Sequence, residues 1–495
     1  MPAGGLDIRT FDAVKALAFI GDLSMGQPTD HSLRTAWLAA QIAGAASFRA
    51  DICDTVREAS LLRWSGCTAN AAEFTNTFGD DVEGRAAMLA ERPDWAELLN
   101  AQGGPAQAIA PLAQIHCEVS GEVARILGLG SETEATLRHI FETWDGNGMP
   151  NQLNGKAVPA AVFVVALAGD LEIFSRVYGL EHALVLIAHR ANFRYPATLT
   201  IPVNTHAAQW LDTLAQLAPA ALDAALLTPQ MQHSTSPDLI ADVLDLKLPW
   251  MTGYSRAVAT TAAACCARLV ADPEASERVY RAGLIHGIGR AAVPNAIWDT
   301  PARLSAAQWE KVRLVPYWTS RAGKQMGPLD QATELASYAY ERLDGSGYFR
   351  AVGGPALGLE ARILAASAAW VALRSKRPWR DALSDAAASE LLRTEAEQGR
   401  FDSDVVEALL EGESAAAQSA SPRSTRYAAE TTRLSSREID VLNLISHGAS
   451  NKEAARALNL SPSTVRTHVE RVFRKLECTT RAAATLKASA MGLLR

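Results

Sequence analysis

One ten-residue phrase occurs twice in this chain. F-E-T-W-D-G-N-G-M-P at 141–150 matches Y-E-R-L-D-G-S-G-Y-F at 340–349. A short polar stretch and an apolar run follow each copy: V-F-V-V-A-L-A-G-D in one, A-R-I-L-A-A-S-A-A in the other. Upstream stand L-L-R-W-S-G-C and L-I-H-G-I-G-R. The matching order marks two related units. Each is too long for a solenoid repeat of roughly 20–50 residues, so a duplicated domain is expected. In the D-G-x-G phrases, Gly146, Gly148, Gly345 and Gly347 are expected to turn at positive φ. Asp145 and Asp344 are expected to bond the loop backbone.

Ala-rich runs favour helix, and β-branched residues do not alternate, so strands should be scarce. The expected class is all-α. The six cysteines show no CxxC spacing, which leaves structural zinc and a disulfide framework unsupported. No apolar run reaches the ~20 residues a bilayer demands, and M-P-A-G-G-L-D-I-R-T does not read as a secretory signal. A cytoplasmic protein without membrane contact is the expectation. Residues 411–432, rich in Ser, Ala and Thr, read as a flexible linker. The expected domains are 1–225, 226–410, the linker 411–432, and 433–495.

Charge is uneven along the chain. From Arg433 onward there are 11 Lys and Arg against 5 Asp and Glu, a net +6, and the remainder carries −13. A short basic module on an acidic body points to nucleic acid. Within it, Ser435 with Glu438 forms a capping-box pattern. Leu434, Ile439, Leu442 and Ile445 make an apolar stripe, and Gly448 is a stop signal. A short helix with Ala454, Ala455 and Leu458 follows, then a turn at Asn459-Leu460. Ser461 and Pro462 open a third helix. That helix should bury Val465, Val469, Val472, Phe473 and Leu476, and expose Thr464, Arg466, Thr467, Arg471, Arg474 and Lys475. Two short helices joined tightly, the second basic, describe a helix-turn-helix. A fourth helix offers an Ala/Leu/Met face to a partner helix.

These segments resemble the LuxR-type four-helix DNA-binding domain of bacterial regulators. The resemblance places Arg466, Thr467 and Glu470 towards bases. It puts Lys452, Thr464, His468 and Lys475 at phosphate-side or structural positions. Arg471 joins them as an exposed cation on the same helix.

The duplicated body resembles the HD-GYP branch of the HD superfamily, helical phosphohydrolases that cleave cyclic di-GMP with two or three metal ions. The resemblance implies a ligand order of His, His-Asp, His, His-His and a late Asp. In the first copy those positions hold His31, Arg63-Trp64, His116, Ile140-Phe141 and Gly169. His139 and Asp170 stand one residue off, about 100° around a helix. In the second copy they hold Tyr254, His286-Gly287, Val315, Ala339-Tyr340 and Ala368. Two or three metals need several converging imidazoles and carboxylates. His31, His116, His139 and Asp170, with His286 from the other copy, are the metal candidates. Arg63 is a candidate for an anionic ligand or a structural ion pair. The expectation is a homodimeric DNA-binding regulator without cofactor. Its body would sense a small molecule or protein, or dimerise. The alternatives are a divalent-metal cyclic di-GMP phosphodiesterase coupled to DNA binding, and a pseudo-enzyme adaptor for another protein.

Overall fold

The structure, a computed structural model, describes residues 7–323, 325–419 and 434–494. It separates into two compact units, Arg9–Thr235 and a second from Ser236 onward. Among the described residues the only strands are the two-residue pieces Ile8–Arg9 and Ser234–Thr235; the fold is otherwise helical.

Both units lay out the same helices. His31–Ala45, Ala50–Leu62, Ala110–Ile126, Ser131–Arg138 and Ala160–Tyr178 recur as Tyr254–Leu269, Pro273–Ile285, Val315–Gly323, Asp330–Ala336 and Leu359–Arg374. Matching contacts support the correspondence. Asp22 accepts hydrogen bonds from the Ser32 backbone N–H and hydroxyl at 3.0 and 2.6 Å. Asp245 does the same for Ser255 at 2.8 and 2.7 Å. A Cβ on Gly66 would stand 2.3 Å from the His116 carbonyl oxygen, and one on Gly289 would stand 2.0 Å from that of Val315. Two segments therefore cross at near-backbone contact in each copy, which only glycine permits.

The repeated phrase is a clamped loop. Its glutamate turns back on the chain. Glu142 accepts from the backbone N–H groups of Asn151 and Leu153 at 2.7 and 2.9 Å. Glu341 accepts from those of Arg350 and Val352 at 2.8 and 3.2 Å. Asp145 accepts from the Asn147 N–H, and Asp344 from that of Ser346, as the sequence suggests. The glycines divide the work differently from expectation. Gly146 and Gly345 adopt positive φ, +83° and +77°. Gly148 and Gly347 do not. Their Cβ atoms would lie 2.3 and 2.4 Å from the backbone nitrogens of Thr143 and Arg342. They are glycine for lack of space.

The helix Ser403–Ser419 runs on past position 411, where the sequence suggested a linker. The Ala-rich stretch favours helix. Glu413 accepts from Arg374 at 2.9 Å and from the Trp370 indole N–H at 3.2 Å. The rest of the expected linker, 420–432, lies outside the described residues. The C-terminal module forms helices Ser436–Ser446, Asn451–Leu458, Pro462–Lys475 and Arg481–Ala490. Its last helix packs on Ser436–Ser446 and on Asp238–Asp245 of the same chain. The Thr252 hydroxyl donates to the Ser446 carbonyl at 2.7 Å.

Gly347→Ala is expected to destabilise the protein by at least ~2 kcal/mol, because a backbone nitrogen cannot give way. Gly44→Ala, on a helix with nothing within 4 Å of its added Cβ, should be neutral or stabilising by up to ~1 kcal/mol. Denaturant midpoints of the two variants check the contrast.

Candidate functional site

In the first unit, three helices bring His31, Arg63 and Glu172 together. His31 opens its helix and is fully buried. Its Nδ1 lies 2.5 Å from Glu172 Oε2, and its Nε2 lies 2.9 Å from an Arg63 guanidinium nitrogen. A guanidinium can only donate, so Nε2 is the acceptor and Nδ1–H donates to Glu172. Burial lowers the pKa of His31 and keeps the ring neutral. Burial would raise Glu172, but His31 and Arg176 hold the carboxylate down at about 2. Burial also presses Arg63 down to about 10, which leaves it a cation at neutral pH. The guanidinium lies 4.2 Å from the Trp64 ring centroid.

Gly169 makes room for this arrangement. A Cβ there would stand 1.8 Å from an Arg63 nitrogen. The resemblance places a late Asp ligand at this position. Arg63 thus fills space that any side chain at 169 would occupy.

The second unit reaches the same result from another position. His286 ends the helix Pro273–Ile285. Its Nδ1–H donates to the Gly283 carbonyl at 2.6 Å, and its Nε2 accepts from Arg290 at 2.7 Å. Arg290 also donates to the Tyr340 hydroxyl at 3.0 Å and lies 3.8 Å from Asp245. The Tyr254 ring lies 5.0 Å beneath its guanidinium, and the Tyr254 hydroxyl donates to the Ala368 carbonyl. Burial, then the Arg290 charge, depress His286 to about 3. Arg290 was passed over in the sequence, although it stands four residues after His286 in the quoted L-I-H-G-I-G-R. Glu172, which orients His31, lies 141 residues away from it, and no local pattern announces it.

The other metal candidates are committed elsewhere. His116 Nε2–H donates to the Arg63 carbonyl at 2.8 Å. Burial drives its pKa to about 3. His139 donates through Nδ1 to the Ala135 carbonyl at 2.8 Å, closing the end of its helix. Asp170 is held by Arg190 at 2.6 Å and Arg194 at 3.3 Å. His286 belongs to the second unit. Among the described residues no group of three or more His, Cys, Asp or Glu could hold a metal ion. Both ring nitrogens of His31 and of His286 are already engaged, Nε2 in each case accepting from arginine. The residues present do not fit the metal cluster that the resemblance implies.

The C-terminal module differs from its sequence reading at two positions, since Thr464, expected exposed, and Phe473, expected buried, are both half-buried. Ser435–Glu438 forms a capping box, and Ser450–Glu453 forms a second that the sequence reading missed. Asn459 turns at φ +54° and Ser461 caps the third helix. Lys452, Arg466, Thr467, Glu470, Arg471 and Lys475 are exposed, whereas Thr464, His468 and Phe473 are half-buried. Arg466 Nε donates to Glu470 at 3.0 Å. Lys475 Nζ lies 2.7 Å from Glu438, tying the third helix to the first. His468 Nδ1 is buried without a hydrogen-bond partner.

Two outcomes follow. Gly169→Ala should cost more than ~2 kcal/mol in the native background and far less beside Arg63→Ala. The coupling in this double-mutant cycle should exceed ~1 kcal/mol by urea unfolding. For His286, the folded pKa of about 3 lies below the open-chain 6.5. Its contribution is full above pH 6.5 and is lost as pH falls towards 3. The stability difference between native protein and His286→Asn should therefore move in the variant's favour by up to ~1.4 kcal/mol per pH unit across that window.

Comparison with known proteins gives these sites a setting. Residues 238–405 match the HD domain family, and residues 432–488 match the bacterial regulatory proteins of the luxR family. The 3'3'-cGAMP-specific phosphodiesterase 3 of Vibrio cholerae is 25% identical over 73% of this chain and 85% of its own length. The nitrate/nitrite response regulator protein NarP of Escherichia coli is 45% identical over 11% of this chain and 25% of its own. The crystal structure of a cyclic GMP-AMP-specific phosphodiesterase of V. cholerae superposes with a TM-score of 0.59 at 21% identity. It covers 82% of this chain and 98% of that one, and shows the shared fold. No helix among the described residues is long and apolar enough to cross a membrane. Residues 238–405 thus carry an HD domain, and residues 432–488 carry a domain of the luxR family of bacterial regulatory proteins.

Proposed function

We propose that this protein is a DNA-binding transcription regulator whose HD-type body senses a signal and does not hydrolyse a nucleotide. The observation that carries this reading is the arginine bonded to Nε2 of the buried histidine in both units. Metal-assisted hydrolysis needs open coordination positions and an activated water. Here the nitrogen lone pairs are occupied by an internal cation. The scaffold is shared with phosphodiesterases of cyclic GMP-AMP, and we assign this chain the scaffold without the reaction.

The third helix of the C-terminal module supplies DNA contacts. Arg466 and Thr467 face outward in its first half, where a recognition helix meets base edges. Glu470 orients the Arg466 guanidinium, which presents a fork suited to guanine. Arg471 and Lys452 stand where phosphates are met. Lys475, bonded to Glu438, sets the angle between helices. Two copies on half-sites about one helical turn apart would give a dimeric complex.

The test uses duplexes selected from a random pool by the full-length protein. Arg466→Ala should weaken binding by roughly 10- to 100-fold, as loss of a bidentate base contact does, with the melting temperature unchanged. Arg471→Ala should weaken all duplexes alike and flatten the salt dependence. Incubation with 3'3'-cGAMP or cyclic di-GMP and added manganese or iron should yield no linear product. Unchanged DNA affinity in Arg466→Ala, or turnover of either nucleotide, overturns the reading.

A further inference from the structure

Cys67 stands against two other donor atoms in the first unit. Its Sγ lies 3.1 Å from Met25 Sδ and 3.5 Å from His116 Nδ1. The three residues come from separate elements. Met25 closes the helix Thr10–Ser24, Cys67 lies in the turns that follow Ala50–Leu62, and His116 sits on Ala110–Ile126. All three are buried, and all three line a cavity of about 260 Å³, which gives a small ion a way in. One of the three donors is a thioether, so the set is not one of the His, Cys, Asp and Glu groups that the described residues lack.

His116 is prepared to coordinate through one nitrogen. Its Nε2 meets the Arg63 carbonyl at 2.8 Å. A carbonyl can only accept, so Nε2 carries the proton. Burial holds the ring neutral, with a pKa of about 3. Nδ1 therefore carries a lone pair, 3.5 Å from the Cys67 sulfur. Histidines that bind metals almost always give their other N–H to a carbonyl or carboxylate, which fixes the tautomer. That supporting bond is made here. Metals lie ~2.0–2.3 Å from nitrogen and sulfur donors, so donors that share one ion stand roughly 3.3–4 Å apart. The Cys67–His116 spacing falls in that range. Met25 is closer, and its unbranched side chain can give by a few tenths of an ångström towards the cavity.

Donor type and charge select the ion. A thiolate, a thioether and an imidazole form a soft set, which suits Cu(I). A monovalent ion and one thiolate sum to zero charge. A divalent ion would leave a net positive charge in a buried place, which is costly. Arg85 and Arg63 lie close enough that their charges already disfavour a positive charge on His116. We propose that Met25, Cys67 and His116 together hold one soft monovalent cation, Cu(I). The ion enters as Cu(I), the Cys67 thiol proton leaves to solvent, and a Cu–S bond replaces the S–H bond with no change in oxidation state. The site shares only His116 with the ligand order of the HD-GYP resemblance. It leaves the contact between the Arg63 side chain and His31 as it stands, and it requires neither DNA binding nor a sensing role of the body.

The test titrates the full-length protein, reduced and kept from oxygen, against the coloured Cu(I) complex of bicinchoninate. The native protein should withdraw one Cu(I) per chain. Cys67→Ser should leave the copper with the chelator. Loss of even an outer-shell partner costs ~10-fold or more in metal affinity, so Met25→Leu should weaken uptake by at least that factor. Cys265 and Cys266, adjacent in the second unit, are the control: replacing both with Ala should leave uptake unchanged. Zn(II) in excess should not displace the copper. X-ray absorption at the copper edge of the loaded native protein should show two sulfur ligands and one nitrogen, and it decides the matter without a variant if Cys67→Ser does not fold. No withdrawal of copper, native uptake by folded Cys67→Ser, loss of uptake with the Cys265 and Cys266 replacements, sulfur ligands alone, or displacement by Zn(II) overturns the proposal.

Discussion

An arginine donating to the unprotonated nitrogen of a buried histidine is the contact around which each half of the body is organised. Burying a guanidinium costs several kcal/mol unless its donors are met. The first unit meets part of the cost with the His31 ring, the Val165 carbonyl and the Trp64 face, while Arg63 Nε has no hydrogen-bond partner. The second uses His286, Tyr340 and the Tyr254 face, and Arg290 Nη1 lies 3.8 Å from Asp245 without a hydrogen bond. Each histidine must be neutral to accept, and burial ensures it. Each must also present the correct tautomer, fixed by Glu172 in one unit and the Gly283 carbonyl in the other. The helices His31–Ala45 and Ala160–Tyr178 are thereby tied at one point, and Gly169 is the residue that lets them close on it.

The two units arrive there by different substitutions. In the first, arginine stands at the position where the HD-GYP pattern has a histidine. In the second, that histidine stays and arginine comes from one helical turn later. The same contact is thus built from different sequence positions in the two units. The acidic groups facing that point, Asp22, Asp170 and Glu172 in one unit and Asp245 in the other, figure among the charges that act on the two arginines.

Much of this chain was legible in its sequence, and the legible part was local. Ser435 with Glu438, Pro462 after Ser461, and the turn at Asn459-Leu460 are each signals spanning no more than four residues, so the C-terminal module could be read almost helix by helix. The duplication was legible because D-G-x-G loops carry backbone constraints. Their two kinds of glycine, one for φ and one for space, look identical in a sequence. The site was harder. His31, His286 and Arg63 stood out as residue types, but what bonds them is set by Glu172, Gly169 and Arg290. Two of those three come from a helix more than 100 residues along the chain. The overlooked Arg290 lay inside a quoted motif. Its meaning depends on a short helical turn, Ile288–Ala292, that folds it back over His286.

A bound metal is a reversible occupant: it leaves with acid, with a chelator, or when supply runs short. A guanidinium on its own backbone has no dissociation constant. The two centres of this body are filled as soon as the chain folds, one cation per histidine. Their occupancy is indifferent to how much iron, manganese or zinc the surroundings hold. In both centres the Nε2 of the histidine is already taken by a cation that the chain itself supplies.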